Sequence, residues 1–92
     1  MRIDKFLKLS KLVKRRSLAQ EMINLGAVRL NRRQVKPSGS VKNGDLVEIA
    51  YTARVLSIKV SVSDENILRK KKDIIPYEFV AEEKVNPEER PW

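Results

Sequence analysis

The sequence predicts an α+β domain, in which two short N-terminal helices pack on a small antiparallel sheet and a short C-terminal helix or extension follows. Ninety-two residues are enough for one domain with a small core, because so short a chain buries only about 60 to 65% of the surface that it exposes when unfolded. Apolar residues recur at helical spacing up to residue 25, and after Gly26 they alternate with polar residues, as in half-buried strands. This order predicts helices first and sheet second.

The first helix is predicted over residues 3–9, where Ile3, Phe6 and Leu7 have the spacing of an apolar helix face. Residues 10–16 follow as a basic elbow with a small apolar foot, and this elbow is either helical or a turn. Its cations are Lys11, Lys14, Arg15 and Arg16, and its apolar residues are Leu12 and Val13.

The second helix is predicted over residues 18–25. Ser17 and Gln20 have the Ser-x-x-Gln spacing of a capping box, in which side chains and backbone amides at a helix start satisfy one another. Gly26 stands where helices commonly end on a left-handed residue, a conformation that glycine adopts without strain. The apolar stripe between these two signals consists of Leu18, Met22 and Leu25.

Alternation of apolar and polar residues predicts a small antiparallel sheet after this glycine. A tight turn at residues 31–33 joins the first two strands, residues 37–40 form a loop, and Gly44 and Asp45 form a turn before the third strand. The predicted strands comprise residues 27–30, 34–35, 46–49 and 55–62.

The C-terminal part combines a short helix with a tail. Asp64 and Glu65 precede Ile67, and a basic run over residues 69–72 follows, which is the order of charges that a helix dipole favours. Residues 77–80 are predicted as an edge strand, and residues 87–92 as a loose acidic tail. The predicted organisation is one α+β domain over residues 1–62, with a partly flexible extension over residues 63–92.

The positive charge is concentrated in the first half of the chain. Residues 1–50 contain twelve Lys or Arg and four Asp or Glu, whereas residues 51–92 contain eight of each, so the net charge of +8 belongs to the first half. Such an asymmetry is typical of a protein that binds a polyanion, because each cation placed on a phosphate releases condensed counterions. Nucleic acid is the favoured partner, with an anionic membrane surface and an acidic protein as alternatives.

Several function classes are excluded by composition. Histidine and cysteine are absent, the carboxylates of the first half are scattered, and no Gly-rich phosphate loop precedes a helix. We therefore expect no enzyme activity, no metal site and no cofactor. No apolar run approaches the length of a membrane span, and the charged N-terminus lacks the apolar stretch of a signal peptide. The expected location is the cytoplasm, without membrane contact.

A set of short motifs follows in a fixed order over residues 2–49: Arg2-Ile3-Asp4-Lys5-Phe6-Leu7, Arg16-Ser17-Leu18-Ala19-Gln20, Ile23, Gly26-Ala27-Val28, Asn31, Lys36-Pro37-Ser38, Val41 and Gly44-Asp45-Leu46-Val47-Glu48-Ile49. With these motifs the first fifty residues resemble the S4 RNA-binding domain, named after the fourth protein of the small ribosomal subunit. The resemblance implies the fold of the alpha-L RNA-binding motif and binding to RNA. One difference is Arg32, which stands where the family usually has glycine in the first hairpin, and a positive φ there would cost about 1 kcal/mol.

The whole chain resembles the RqcP family of bacterial ribosome quality-control proteins, which is similar to ribosome-associated heat-shock protein fifteen. This resemblance implies binding to large-subunit rRNA and to the peptidyl-tRNA of stalled complexes, beside an RqcH-type factor that adds C-terminal alanine tails. A monomer associated with ribosomes is expected. Two alternatives remain open at this point: a heat-shock-type factor that recycles large subunits without alanine tailing, and a basic adaptor that binds an acidic protein.

The candidate RNA-binding surface is centred on Lys14, Arg15 and Arg16 at the start of the second helix, because arginine binds phosphate with two parallel hydrogen bonds and a helix N-terminus favours anions. The resemblance places Arg2 and Lys5 of the first helix beside the same surface, and Arg32 at the hairpin tip is equally compatible with a phosphate contact and with a solvated turn. Lys8, Lys11 and the run Lys70–Lys72 are as compatible with a solvated surface as with RNA contact. The candidate RNA-binding residues are Arg2, Lys5, Lys14, Arg15, Arg16, Arg32 and Lys36. The predicted structural residues are Ser17, Gly26, Gly44 and Asp45.

Overall fold

A computed structural model describes residues 1–89 and Trp92. Three helices and five strands form one α+β unit, which confirms the predicted fold class. All strand pairs are antiparallel, and the spatial order is β2-β1-β3-β4-β5. The elements are α1 (Ile3–Leu9), α2 (Arg16–Asn24), β1 (Val28–Leu30), β2 (Arg33–Gln34), β3 (Leu46–Ala50), β4 (Arg54–Val60), α3 (Glu65–Lys70) and β5 (Tyr77–Lys84). Over the described part of the chain, no helix combines the length and the apolar character that crossing a bilayer requires.

Helix α1 has the predicted bounds and supplies the centre of the core. Ile3, Phe6 and Leu7 are completely buried, as their spacing predicts. The loop at residues 37–40 satisfies the first amides of this helix, because the Ile3 amide donates to the Gly39 carbonyl at 2.7 Å. Helix α1 is therefore held at its N-terminus by the backbone of a distant loop.

The basic elbow between α1 and α2 is a turn. Lys11 has a φ of +65°, a left-handed conformation in which a residue with a side chain is strained by about 1 kcal/mol. Leu12 and Val13 are buried, so the predicted apolar foot anchors the elbow to the core. The cations Lys14 and Arg15 remain exposed at its end.

Helix α2 begins at Arg16, two residues earlier than predicted, and the predicted capping box is wrong. Arg15 is the N-cap and makes no side-chain capping hydrogen bond, while Ser17 lies exposed in the first turn. The side chain of Gln20, the other half of the predicted box, instead donates to Asp4. Ser17 therefore does not have the capping role that the sequence predicts.

Helix α2 ends at Asn24, one residue before the predicted end, and Gly26 closes it as predicted. Gly26 has a φ of +80°, its amide donates to the Ile23 carbonyl, and the Ala27 amide donates to the Met22 carbonyl. These two bonds form a Schellman motif, which needs a left-handed residue after the helix. Gly26 thus turns the chain from α2 into β1.

The turn between β1 and β2 consists of Asn31 and Arg32, one residue fewer than the predicted turn over residues 31–33, because Arg33 already pairs with Leu30. Asn31 and Arg32 have φ values of +51° and +66°, the combination of a type I′ turn. Asp45 supports this hairpin from the neighbouring turn, since its carboxylate accepts from the Asn31 side chain at 3.1 Å and from the Lys42 amide at 2.8 Å. With Gly44 at a φ of +92°, both predicted turn residues have the structural role expected of them.

The C-terminal part continues the sheet and the core. Asp64 caps α3 by accepting from the amides of Asn66 and Ile67, and Leu68 is buried. Strand β5 pairs with β4 along its whole length and ends at Lys84, four residues beyond the predicted end. Residue 62, the predicted domain boundary, lies between β4 and α3, and the sheet continues beyond it with β5.

The predicted loose tail is wrong for its last residue. The indole Nε1 of Trp92 donates to the Gly26 carbonyl at 2.8 Å, and the guanidinium of Arg29 lies 4.3 Å from the indole ring centre. Arg90 and Pro91 lie outside the described residues. Trp92 is thus held by non-covalent contacts near the start of β1.

Candidate nucleic-acid interface

A buried carboxylate organises the arginines that the sequence singles out. Asp4 in α1 is completely buried, and its two oxygens accept five hydrogen bonds. Arg2 donates through Nε at 3.2 Å and Nη2 at 3.1 Å, and Arg16 donates through Nε at 3.2 Å. Gln20 donates at 2.9 Å and the Lys5 amide at 2.8 Å. We call Arg2, Asp4, Arg16 and Gln20 the Asp4 cluster.

The two arginines of this cluster contact Asp4 on one side and solvent on the other. The side chains of Arg2 and Arg16 are 45% and 41% exposed, although both contact the fully buried carboxylate of Asp4. Each guanidinium has five N–H donors, of which Asp4 uses two on Arg2 and one on Arg16. The remaining donors are available to a phosphate, and the side chains that carry them are already oriented.

The pKa of Asp4 is lowered from its ordinary value. Burial is the largest single effect and raises the pKa. The hydrogen bonds from Gln20, Arg16, Arg2 and the Lys5 amide together lower the pKa by more than burial raises it. Asp4 is therefore ionised at neutral pH, and with two arginines beside it the cluster keeps a net positive charge. An uncompensated carboxylate would repel RNA, whereas this one positions two cations.

Lys14 and Arg15 lie beside the Asp4 cluster, at the start of α2. Both are exposed, and Arg15 immediately precedes the first helical residue, Arg16. The free amides and the dipole of the nine-residue helix α2 add positive potential at the same place. The structure thus brings four of the predicted RNA-binding residues together, namely Arg2, Lys14, Arg15 and Arg16.

The other three candidates have different surroundings. The ammonium of Lys5 lies 3.1 Å from the Glu65 carboxylate, so it links α1 to α3. Lys36 is exposed, one residue before the loop that holds the start of α1. Arg32 lines a shallow groove on the outer face of the sheet together with Trp92, away from the helices. Lys5 contacts the Asp4 cluster through its backbone amide, while its ammonium pairs with Glu65. Within the described residues, the side chains of Lys36 and Arg32 make no hydrogen bond to the cluster.

Sequence reasoning missed the role of Asp4. Its position offered a signal, because Asp4 and the buried Leu7 are three residues apart and lie next to each other on α1, at the border of the apolar stripe. An acid at such a border is buried only when cations or amides compensate its charge. The four basic residues of the elbow and Arg2 were the available partners.

A second group that sequence reasoning missed lies on the outer face of the sheet. Arg29 donates through Nη2 to both carboxylate oxygens of Glu48, at 2.9 and 3.1 Å, and the Trp92 ring covers its guanidinium. Its Nε is buried and has no hydrogen-bond partner within residues 1–89 and Trp92. Arg29 is thus largely enclosed, and its contacts are those of a residue that stabilises the sheet.

Both the first half of the chain and nearly its whole length match known proteins. The family model of the S4 domain matches residues 1–47. A Bacillus subtilis protein named RQC P-site tRNA stabilizing factor is 35% identical over 85 residues, which are 92% of this chain and 98% of that protein. A Listeria monocytogenes protein of the same name is 34% identical over 86 residues, covering 94% of this chain and 92% of that protein.

A solved structure has the same fold. It is described as the trimeric structure of Vibrio cholerae Heat Shock Protein 15, and it is 29% identical to this chain with a TM-score of 0.73. The match covers 88% of this chain and 82% of that protein. The likeness therefore extends beyond the S4 domain into the C-terminal part.

Proposed function

Because the chain belongs to the S4-domain family and, within it, to the family of RQC P-site tRNA stabilizing factors, we propose that it binds the rRNA of the large ribosomal subunit and the peptidyl-tRNA of stalled complexes. In this role it keeps the tRNA in place while an RqcH-type factor adds a C-terminal alanine tail. It acts by binding alone, without catalysis or a cofactor, on ribosomes in the cytoplasm.

The Asp4 cluster is the observation that carries this proposal. Arg2 and Arg16 are held by one buried carboxylate, so binding RNA costs them little side-chain entropy. Arginine in such a fixed position suits the regular spacing of phosphates better than it suits a flexible acidic peptide. Lys14 and Arg15 extend the same surface along the start of α2.

Readout of RNA shape fits this surface better than readout of sequence. The RNA-facing residues of the proposal are cations, and the chain has only five aromatic side chains, which limits stacking on splayed bases. In the proposal Lys5 contributes charge while remaining paired with Glu65, and Lys36 and Arg32 make peripheral contacts. Structured rRNA and tRNA are partners that can be recognised in this way.

We propose that the protein acts as a monomer, since short or charged strands form both edges of its sheet. Strand β2, at one edge, has only two residues. Strand β5, at the other, exposes Phe79 and Val80 but also carries three acidic residues. Short or charged edges oppose edge-to-edge association. Light scattering of the purified protein is expected to give the monomer mass, and a trimer would contradict this part of the proposal.

Affinity purification of the tagged chain tests the main proposal. Large ribosomal subunits that carry peptidyl-tRNA are expected to copurify with the unaltered chain, and not with the variant Arg2→Ala/Arg16→Ala. Lys59→Ala is a suitable control, because Lys59 is an exposed cation on the sheet face away from the helices. Recovery of the protein without ribosomal subunits would refute the proposal. Equal recovery by the double variant would favour the basic-adaptor alternative.

Recycling of large subunits without alanine tailing is the second candidate function, and the likeness to Heat Shock Protein 15 favours it. The two functions differ in the product that they leave on stalled chains. Deletion of the gene is expected to abolish C-terminal alanine tails if the first proposal is right. Alanine tails at unchanged levels, with free large subunits accumulating, would support recycling instead.

A further inference from the structure

A second basic surface lies between α1 and α3, at the opposite end of α1 from the Asp4 cluster. Its lining includes five cations: Lys8, Lys11, Arg69, Lys71 and Lys72. We call this surface the α1–α3 groove. We propose that it binds the phosphates of an RNA segment continuous with the segment at the Asp4 cluster. This inference rests on the proposed RNA-binding function and adds a site to it.

The core and one ion pair hold the two walls of the groove together. Leu68 of α3 is only 4% exposed and belongs to the same core as Phe6 and Leu7 of α1. The Lys5 ammonium lies 3.1 Å from the Glu65 carboxylate, which fixes the start of α3 against α1. The last turn of α3 and the residues after it are therefore positioned beside the end of α1.

The charges of the groove are largely uncompensated. Within residues 1–89 and Trp92, no Asp or Glu lines it, and Asp73, which follows Lys72 in the chain, is not among its lining residues. Glu65 pairs with Arg69 at 3.3 Å as well as with Lys5, but Lys8, Lys11 and Lys71 make no ion pair within the described residues. Cations brought together in this way repel one another, and a polyanion relieves the repulsion.

Lys11 contributes a cation to the groove although the backbone conformation of this residue is unfavourable for a lysine. Its φ of +65° is one that glycine adopts without strain and lysine does not. Its ammonium lies 3.4 Å from the Lys72 carbonyl, a neutral partner, so the side chain spans the groove without losing its charge. A glycine there would relieve the backbone and remove the cation.

Continuity with the Asp4 cluster favours RNA over an acidic protein. Arg2 is the N-cap of α1, Lys8 lies in its last turn, and Lys11 follows its C-cap, Ser10. Seven helical residues span about 10 Å, a distance that a few consecutive nucleotides of one RNA strand cover. One RNA backbone that runs along α1 can therefore reach both surfaces.

Two groove variants test this inference: Lys71→Ala/Lys72→Ala and Lys11→Gly. Binding to purified large ribosomal subunits and to a short RNA duplex is measured across a salt series. We expect affinity at near-physiological salt to fall about fivefold for each phosphate that the variant no longer binds, and the slope of log affinity against log salt on the duplex to fall by about 0.9 for each such phosphate. Lys59→Ala/Lys84→Ala, which removes two exposed cations from the sheet, is the matched control.

The thermal midpoint of each variant separates binding from folding. Lys11→Gly is expected to melt at or above the temperature of the unaltered chain while binding RNA more weakly, a combination that a purely structural role of Lys11 does not produce. Unchanged RNA affinity and salt slope in both groove variants would overturn the inference.

The outcome also distinguishes this inference from the function on which it rests. If the unaltered chain fails to bind large subunits, the proposed function fails. If Arg16→Ala loses binding and the groove variants do not, only the groove proposal fails. Groove-dependent binding of polyglutamate, without an effect of the groove variants on RNA, would overturn the inference in favour of an acidic protein.

Discussion

The guanidinium of Arg16 lies 3.2 Å from the buried carboxylate of Asp4, which is twelve residues earlier in the chain. The same carboxylate also holds Arg2, so one acid fixes two cations from two separate segments. Because both arginines remain more than two fifths exposed, this arrangement joins the fold of the two helices to the proposed RNA contact.

Asp4→Asn is expected to destabilise the fold and to weaken RNA binding. The amide keeps the shape of the side chain but loses the charge that orients Arg2 and Arg16, and its NH2 group faces donors. Hydrogen bonds to a charged group contribute about 1.5 to 3 kcal/mol, and the exposure of the arginines lowers their share, so we expect a loss of about 2 kcal/mol in the free energy of unfolding. Urea denaturation measures it. Asp73→Asn, at an exposed acid, is the control and is expected to have little effect.

The stability that Asp4 contributes is expected to disappear in acid. The pKa of Asp4 is lower in the folded protein than in the unfolded chain, so the folded state favours the ionised form. The contribution is complete above the unfolded-state pKa of about 4, and it is lost as pH falls through the lower pKa of the folded state. The difference in unfolding free energy between the unaltered chain and Asp4→Asn should shrink over that range. A difference in unfolding free energy that stays constant down to the lowest pH measured would contradict the ionisation of Asp4 in the folded protein.

Arg16→Lys is expected to weaken binding to large subunits although it keeps the charge. Lysine lacks the planar group that donates to Asp4 through one nitrogen while presenting others to a phosphate. We expect roughly a tenfold loss of affinity, equivalent to about 1.4 kcal/mol. Filter binding of labelled subunits measures it. Affinity equal to that of the unaltered chain would mean that Arg16 acts only as a point charge.

Arg32→Gly is expected to stabilise the hairpin between β1 and β2. Arg32 has a positive φ in a type I′ turn, where Asn-Gly is the favoured pair, so glycine removes a strain of up to about 1 kcal/mol. Arg33→Gly is the comparison, because Arg33 lies in strand β2 and glycine weakens strands. Thermal denaturation should move the two midpoints in opposite directions. If Arg32 also contacts phosphate, the more stable variant will bind RNA more weakly.

The chain's single tryptophan is expected to report the docking of the C-terminus. Trp92 donates to the Gly26 carbonyl and covers the guanidinium of Arg29, and these contacts together contribute about 1 to 2 kcal/mol. Arg29→Ala should therefore shift the emission of Trp92 toward that of a solvated indole under native conditions. Arg54→Ala, at an exposed arginine elsewhere in the sheet, should leave it unchanged. Equal spectra for both variants would contradict the docking.

Local structure was largely predictable from the sequence. The bounds of α1, the end of α2 at Gly26 and the turn at Asn31 and Arg32 depend on residues within a few positions of one another. The start of α2 was predicted less well, because the Gln20 side chain is directed to the buried carboxylate of Asp4, to which it donates, whereas a capping box needs it to accept from the backbone amide at the helix start. A hydrogen bond to an ionised acceptor is stronger than one between neutral groups, so the distant partner prevailed over the local one.

The amino-acid sequence by itself determined the order of the elements, the confinement of net positive charge to residues 1–50 and the resemblance to the S4 domain, because each depends on neighbouring residues or on residue types. Only the tertiary structure decided which distant residues contact one another. Arg16 reaches Asp4 across twelve positions, the Lys11 ammonium reaches the Lys72 carbonyl across 61, and Trp92 reaches Gly26 across 66. Such contacts form because burial of the whole core brings distant segments together, and no local sequence pattern predicts which segments will meet.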